Sequence, residues 1–247
     1  MSIFTNLCTT RCKFDKKRKI ILRENIPIKG LTKILPKLFF KGYIKHPQPH
    51  IHRNPRKYGI MYDYQINSIL QNIHKTSLYN DLPIEHFVKN KQTIFDRLQK
   101  TPQTKLTSPI ITYMLKHNLI PIYSQYPVSH FTYNIGTCID LICMSIETDK
   151  LIVFENKTGY NVNYNKPVGH MQDPFKFLPN SQLNQHLIYL AICVYMLKNS
   201  GLVVDPAKSA VLRLNEYNMT LDEYKLPGFL YIDQIMYDTL KIVSFSL

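Results

Sequence analysis

Tryptophan is absent from this chain and acidic side chains are scarce, with 17 Asp and Glu against 31 Lys and Arg. The first absence, alongside plentiful Ile, Asn, Lys and Tyr, fits an AT-rich coding bias and carries no mechanistic weight. The second leaves a formal net charge of +14. A surplus of that size points to a polyanionic partner or an acidic membrane surface, with nucleic acid the first candidate. Long apolar runs are also missing. The longest, residues 187–197, is followed at once by Lys198 and falls short of the roughly 20 residues needed to cross a bilayer. No membrane association and a soluble, intracellular protein are therefore expected. Residues 1–14 have neither an apolar core nor a small-residue cleavage site, so a secretory signal is not expected. They do combine Arg11 and several Ser and Thr with no acid, a weak likeness to an organelle transit peptide. The cluster Lys16-Lys17-Arg18-Lys19 admits three readings: a nuclear import signal, a phosphate-binding patch or a solvated tail. Nuclear, cytoplasmic and mitochondrial locations all stay open. Cysteines stand at 8, 12, 138, 143 and 193, without the even, regular spacing of a disulfide framework. Reduced thiols are expected, and Cys8 with Cys12 alone is poor evidence for zinc.

With 247 residues, 45% of them hydrophobic, the chain is long enough to bury a sizeable core in one domain. The expected organisation is a basic N-terminal extension over 1–57 and one catalytic domain over 58–247. The extension is proline-punctuated and ends in a stretch with His46, His50 and His52. A polar loop with incidental histidines explains that stretch better than a metal site. Apolar spacing predicts helices over 58–74, 82–98 and 108–117, which makes the first half largely helical. From Leu119 the pattern changes. Residues 120–128, 133–144 and 150–158 are rich in β-branched and aromatic side chains, and three consecutive strands are expected. A loop over 159–180 leads to Ser181, whose hydroxyl suits a helix N-cap, and a helix to about Lys198. Residues 209–214 read as a short strand, and the segment from Phe229 onward fits helix or strand. There is no internal repeat.

Glu155-Asn156-Lys157 is the most informative triplet, because residues i and i+2 of a strand project to the same face. A carboxylate and an ammonium then point together out of a run, Leu151 to Phe154, that otherwise reads as buried sheet. Asp140 lies one strand earlier. In a hairpin centred on Glu147 and Thr148, facing residues have numbers that sum to 295, and Asp140 and Glu155 satisfy that sum. Opposed residues on one face have Cβ atoms roughly 4.5–5.5 Å apart, so two carboxylates there call for a cation between them. Mg²⁺ or Mn²⁺, with oxygen ligands, suits the place. Such a centre would polarise a phosphodiester and neutralise its leaving oxygen, with Lys157 beside it. A turn one residue away would instead leave an ordinary Glu155–Lys157 ion pair.

The segments Gly136-Thr-Cys-Ile-Asp140, Glu155-Asn-Lys157-Thr158 and Gln185-His-Leu-Ile-Tyr189 together resemble the RecB-like and mitochondrial genome-maintenance exonuclease branch of the PD-(D/E)xK nucleases. That branch carries a Gly before an Asp, a hairpin, (D/E)-x-K-T, a loop and a helix with Q-x-x-x-Y. The likeness covers about 120–197, a third of the chain. It implies an α/β restriction-endonuclease-like core, with a central mixed sheet flanked by helices. It also implies Asp140 and Glu155 as metal ligands, the Asn156 carbonyl as a further ligand, Lys157 as catalytic lysine, and Gln185 as a residue orienting the site or a phosphate. Gln182, Gln185, His186 and Tyr189 share one helical face, so this polar row is expected to reach the metal centre, while Leu183, Leu187, Leu190 and Val194 are expected to pack inward. Gln182 and His186 are lesser candidates than Gln185 for touching substrate.

Two positions depart from the family pattern. Gly59-Ile-Met-Tyr-Asp63 places an aspartate where the branch has a histidine, and Asp63 is taken as a further catalytic and metal-ligating candidate. Gln125 stands where the branch has an acid on the strand before the hairpin, which removes one charge. Residues 160–177, with their Tyr and Phe, either stack on unpaired bases or pack on their own domain. The expectation is a Mg²⁺- or Mn²⁺-dependent deoxyribonuclease, most readily an exonuclease, with DNA preferred to RNA as partner. The alternatives are a weak or inactive nucleic-acid-binding protein on the same fold, and an RNA endonuclease.

Overall fold

A computed structural model describes residues 12–15, 20–40, 55–130, 132–159, 163–215, 218–230 and 233–245. The basic cluster at 16–19, the three histidines of the 45–53 stretch and Cys8 lie outside the described residues. The chain opens on three short strands, β1 (Cys12–Asp15), β2 (Ile20–Arg23) and β3 (Ile26–Gly30). Glu24 and Asn25 join β2 to β3 with φ of 53° and 67°, and Arg23 pairs with Ile26 across them. Two left-handed residues in a two-residue loop match the twist of antiparallel strands. Helix α1 (Leu31–Leu38) follows directly. Its Leu31, Ile34 and Leu35 enter the core with Phe39 and Phe40.

The expectation of a helical N-terminal half therefore holds in part. The three helices predicted from periodicity are present as α2 (Pro55–His74), α3 (Ile84–Gln99) and α4 (Ser108–Lys116). Ahead of them, however, residues 12–15 and 20–40 supply three strands and a helix to the same sheet and core. Strands of four and five residues, one holding Pro27, show too little alternation to stand out among lysines.

The three consecutive strands are β4 (Leu119–His130), β5 (Ile135–Ser145) and β6 (Leu151–Thr158). Helix α5 (Gln182–Asn199) starts as expected, its Ser181 hydroxyl accepting the Asn184 amide. Strand β7 (Ala210–Asn215) is paired with β8 (Thr220–Lys225). The latter is a polar edge strand that the sequence pattern does not announce. The ambiguous C-terminal segment is helix α6 (Asp233–Phe245). Its buried Met236, Leu240 and Val243 fall at the i, i+4, i+7 spacing of one helical face.

Among the described residues the strands form one mixed eight-stranded sheet flanked by six helices, in the order β1-β2-β3-β5-β6-β7-β8 with β4 on the other edge of β5. Alternation along β6 shows which helices cover which face. Phe154 meets Tyr113 of α4 edge to face, and Thr158 approaches Gly59 of α2. Glu155 and Lys157, of the opposite parity, line a cavity with residues of α1 and α5. Among the described residues no helix is long and apolar enough to cross a membrane.

One feature of the sheet positions the site. Strand β5 pairs with β4 along almost its whole length, but its other edge is shared. Leu141 to Met144 pair antiparallel with β6, and Ile135 and Gly136 pair parallel with β3. Between them, residues 137–140 carry no ladder partner on that edge among the described strands. β6 leaves β5 here and continues against β7 from Phe154 to Thr158. The sheet forks. Gly136 stands where β3 and β4 close on β5, and a Cβ there would lie 2.9 Å from the Val128 carbonyl oxygen.

Candidate active site at the fork

The four ladder pairs of the β5–β6 hairpin, Leu141 with Phe154 through Met144 with Leu151, all sum to 295. That is the register the Glu147-Thr148 turn predicts. Asp140 and Glu155 are the next residues outward, at the point where the ladder ends. An unpaired strand edge must find other partners for its polar groups, and the site residues supply them. Asp140 Oδ2 accepts the backbone N–H of Asn156 at 3.0 Å. Across the fork, the Tyr189 hydroxyl donates to the Cys138 carbonyl at 3.0 Å and also meets the Thr137 hydroxyl. Tyr189 therefore ties α5 to the exposed edge of β5.

Lys157 joins the two carboxylates. Its Nζ lies 3.5 Å from Asp140 Oδ2 and forms a close ion pair with Glu155 Oε1. Glu155 is only 5% exposed. Burial, with repulsion from Asp140 added, pushes its carboxyl up to about 8 despite the neighbouring Lys157. Burial works against the Lys157 charge, yet Glu155 and Asp140 outweigh it and raise its pKa. One ammonium thus serves two carboxylates in a poorly hydrated place.

Gln125 completes the surroundings of Asp140, donating from Nε2 to Oδ1 at 3.1 Å. Its backbone is left-handed, with φ of 48°, a costly conformation for a non-glycine residue inside a strand. Where the family pattern has an acid, this chain therefore has an amide that donates to Asp140. Asp63, on α2, lies near enough to feel Asp140 and Lys157. Burial and then Asp140 push its carboxyl up to about 7, with Lys157 opposing. Among the described residues no three His, Cys, Asp or Glu side chains are grouped closely enough to hold a metal ion. Asp63 therefore flanks the Asp140–Glu155 pair and does not complete a three-carboxylate cluster with it. Asn156 turns its side chain to the α2 face, where Oδ1 is buried without a hydrogen-bond partner among the described residues.

The donor set suits a hard divalent cation. Asp140 and Glu155 offer carboxylate oxygens from adjoining strands, and the raised Glu155 pKa, due first to burial and then to Asp140, shows that Lys157 alone does not offset the cost of ionising both acids.

The open side of the fork is a cavity of about 130 Å³ walled by Thr32, Leu35, Pro36 and Phe40 from α1 and its end, by Glu155 and Lys157, and by Gln185, His186 and Tyr189 of α5. Of the polar face of α5, Gln185, His186 and Tyr189 line this cavity and Gln182 does not. Gln185 is buried, its Nε2 donating to Asn180 Oδ1 at 2.9 Å, while Asn180 Nδ2 donates to the Phe40 carbonyl at 2.7 Å. This chain of bonds fixes the end of α1 against α5. Leu187, Leu190 and Val194 pack inward as expected, and Leu183 is half-buried. Tyr164, from the loop that might have stacked on bases, is buried on its own domain. Its ring lies under Arg213, whose guanidinium carbon is 4.6 Å from the ring centroid, and its hydroxyl is 2.7 Å from His186 Nδ1.

Sequence reasoning missed the α1 wall, Asn180 and Arg213. The α1 wall comes from the segment taken for a tail, and no spacing links Asn180 or Arg213 to the triplet. No protein-family model and no curated protein matches this chain, so the likeness to PD-(D/E)xK nucleases rests on the three motifs.

Proposed function

We propose that this chain is a metal-dependent nuclease that hydrolyses DNA phosphodiester bonds, acting most readily as an exonuclease. The observation that carries this reading is the convergence of Asp140 and Glu155 on Lys157 at the fork, beside a cavity. Asp140 and Glu155 would hold Mg²⁺ or Mn²⁺, with the Asn156 carbonyl as a further candidate ligand and Asp63 flanking the pair. When bound, the cation supplies Lewis acidity toward the phosphoryl group and lowers the pKa of water. Lys157 orients the attacking water and neutralises charge on the phosphoryl oxygens. Gln185, held by Asn180, keeps the cavity wall in place. The PD-(D/E)xK likeness, with its Q-x-x-x-Y helix, supports the same assignment.

The net charge of +14 supports a nucleic-acid partner, and part of that charge lies beside the cavity. Lys33 and Lys37 are exposed on α1. Each follows a cavity-lining residue, Thr32 or Pro36, by one position, which turns it about 100° around the helix and onto the outer rim. Lysines so placed suit the phosphates of a strand entering the site.

A second reading has one observation in its favour: Gln125 contributes a neutral donor to Asp140 where the family pattern has an acid. A nuclease fold retained for nucleic-acid binding would tolerate that exchange. The deciding experiment incubates the purified chain with labelled single- and double-stranded DNA and RNA in Mn²⁺, Mg²⁺ or EDTA, alongside Asp140→Ala and Lys157→Ala. Metal-dependent cleavage lost in both variants is the expected result. Salt-sensitive binding without cleavage favours the binding protein. Cleavage that survives both substitutions removes the site assignment.

A further inference from the structure

His186 lies on the face of α5 that lines the cavity with Glu155 and Lys157, yet neither the hairpin register nor the family motifs give it a role. Its ring is held from behind. Nδ1 is 2.7 Å from the Tyr164 hydroxyl, and the Tyr164 ring is fixed in turn beneath Arg213 and against Tyr224. Arg213 is itself buried, donating to the Gly159 carbonyl at 3.2 Å and facing Asp222 at 3.9 Å. The phenol therefore has a set position, and Nδ1 is committed to it.

A neutral imidazole has one donor and one acceptor nitrogen, and the bond made by one decides the state of the other. Phenol is the more acidic partner and imidazole nitrogen the more basic, so the favoured bond runs from the Tyr164 O–H to Nδ1. Among the described residues nothing else accepts that hydroxyl proton or bonds to Nε2. The ring proton then resides on Nε2, the nitrogen of this cavity-lining ring that Tyr164 does not engage. Burial and the nearby Lys157 charge lower the His186 pKa well below its ordinary value, which keeps the ring neutral.

We infer that Tyr164 locks His186 as a neutral Nε2–H donor that holds a phosphate oxygen of the substrate in the cavity beside Lys157. The inference rests on the nuclease reading for the identity of the substrate, and it adds a substrate-contacting residue to that site. Arg213 and Tyr164 act through His186 and are positioning residues.

The experiment separates the two nitrogens. Glutamine places an amide N–H where Nε2 stands, whereas asparagine reaches only as far as Nδ1. His186→Ala is expected to lower kcat/KM on DNA by roughly 10- to 100-fold, the range for losing a hydrogen bond to a charged group. His186→Gln should recover most of that loss, His186→Asn should not, and Tyr164→Phe should fall between. Nitrogen-15 imidazole spectra of the intact chain, assigned with His186→Gln, should show the proton on Nε2. A proton on Nδ1, or equal activity of the Gln and Asn variants at equal melting temperature, overturns the inference. Should the wild-type chain bind DNA without cleaving it, the nuclease reading falls. The same variants are then compared by anisotropy of a fluorescein-labelled single strand in EDTA. A Gln-over-Asn difference in Kd sustains the His186 donor there, and no difference or no binding overturns it.

Discussion

The two ends of the β5–β6 hairpin are built to opposite rules. Toward the turn, Leu141, Ile142, Cys143 and Met144 are completely buried, apolar and paired with β6. Beyond Leu141 the same two strands part, and within a few residues they carry Asp140, Glu155 and Lys157. The closed end satisfies its backbone by the ladder and its side chains by packing. The open end uses side chains to satisfy strand edges, as when the Asp140 carboxylate takes the Asn156 amide. The fork separates the strands while keeping both acids beside one lysine.

The largest expected effect is on the open end. Asp140→Ala or Lys157→Ala should reduce metal-dependent cleavage by about 10²–10³-fold, as removal of a transition-state charge partner does. Gel assays check this, with melting curves to show that the fold persists. A fall of less than about tenfold would mean that the open end is structural, like the closed one.

At the closed end the loss should be in stability. Ile142→Ala removes a fully buried side chain and should cost about 2–5 kcal/mol, the usual range for cavities in cores. Denaturant unfolding measures it. Gly136→Ala lies beyond the open end, where β3 meets β5, and overpacking should cost about 1–3 kcal/mol. Loss of cleavage out of proportion to that cost would show that β3 helps to hold the fork open.

The pH dependence of stability tests the charge at the open end. In the metal-free chain Glu155 keeps its proton up to about 8 and Asp63 up to about 7, whereas an unfolded carboxyl loses it near pH 4. The folded state binds the extra protons, so stability falls as pH rises toward 8. Buried His74, held down near 4 chiefly by desolvation, gives the opposite slope below about pH 6.5. Melting temperature in EDTA should therefore be compared between pH 6.5 and 8, where it should drop, and Glu155→Gln should flatten the drop. A melting temperature that climbs over that interval in the wild-type chain would overturn the picture of an undercompensated carboxylate pair.

The smallest effect lies on the rim. Lys33→Glu or Lys37→Glu should weaken DNA binding evenly across sequences and reduce the salt slope by about one each. An unchanged slope would leave the open end without its outer wall of charge.

Much of this arrangement was legible in advance because it depends on local spacing. The turn at Glu147 and Thr148 fixes the register, and the register places Asp140 next to Glu155. The Ser181 cap starts α5 at Gln182, and the helical repeat then brings Gln185, His186 and Tyr189 to one face. The role of Gln125 was visible only as a missing acid, since its left-handed backbone and its bond to Asp140 belong to the sheet. Tyr164 carried no sign of its Arg213 and His186 contacts, as those partners lie far away along the chain.

The sequence by itself determined the periodicities, and through them the helices α2 to α5, the central hairpin and the identity of the charged trio. Only the tertiary structure decided that β1, β2 and β3 belong to the sheet, that β5 exchanges β6 for β3 at Asp140, and that α1 closes the cavity. The reason is physical. Helical faces and hairpin registers follow from repeats of a few residues, whereas a parallel pairing such as β3 with β5 joins segments about a hundred residues apart. Contacts of that kind are settled by which surfaces pack together, and no local pattern records them.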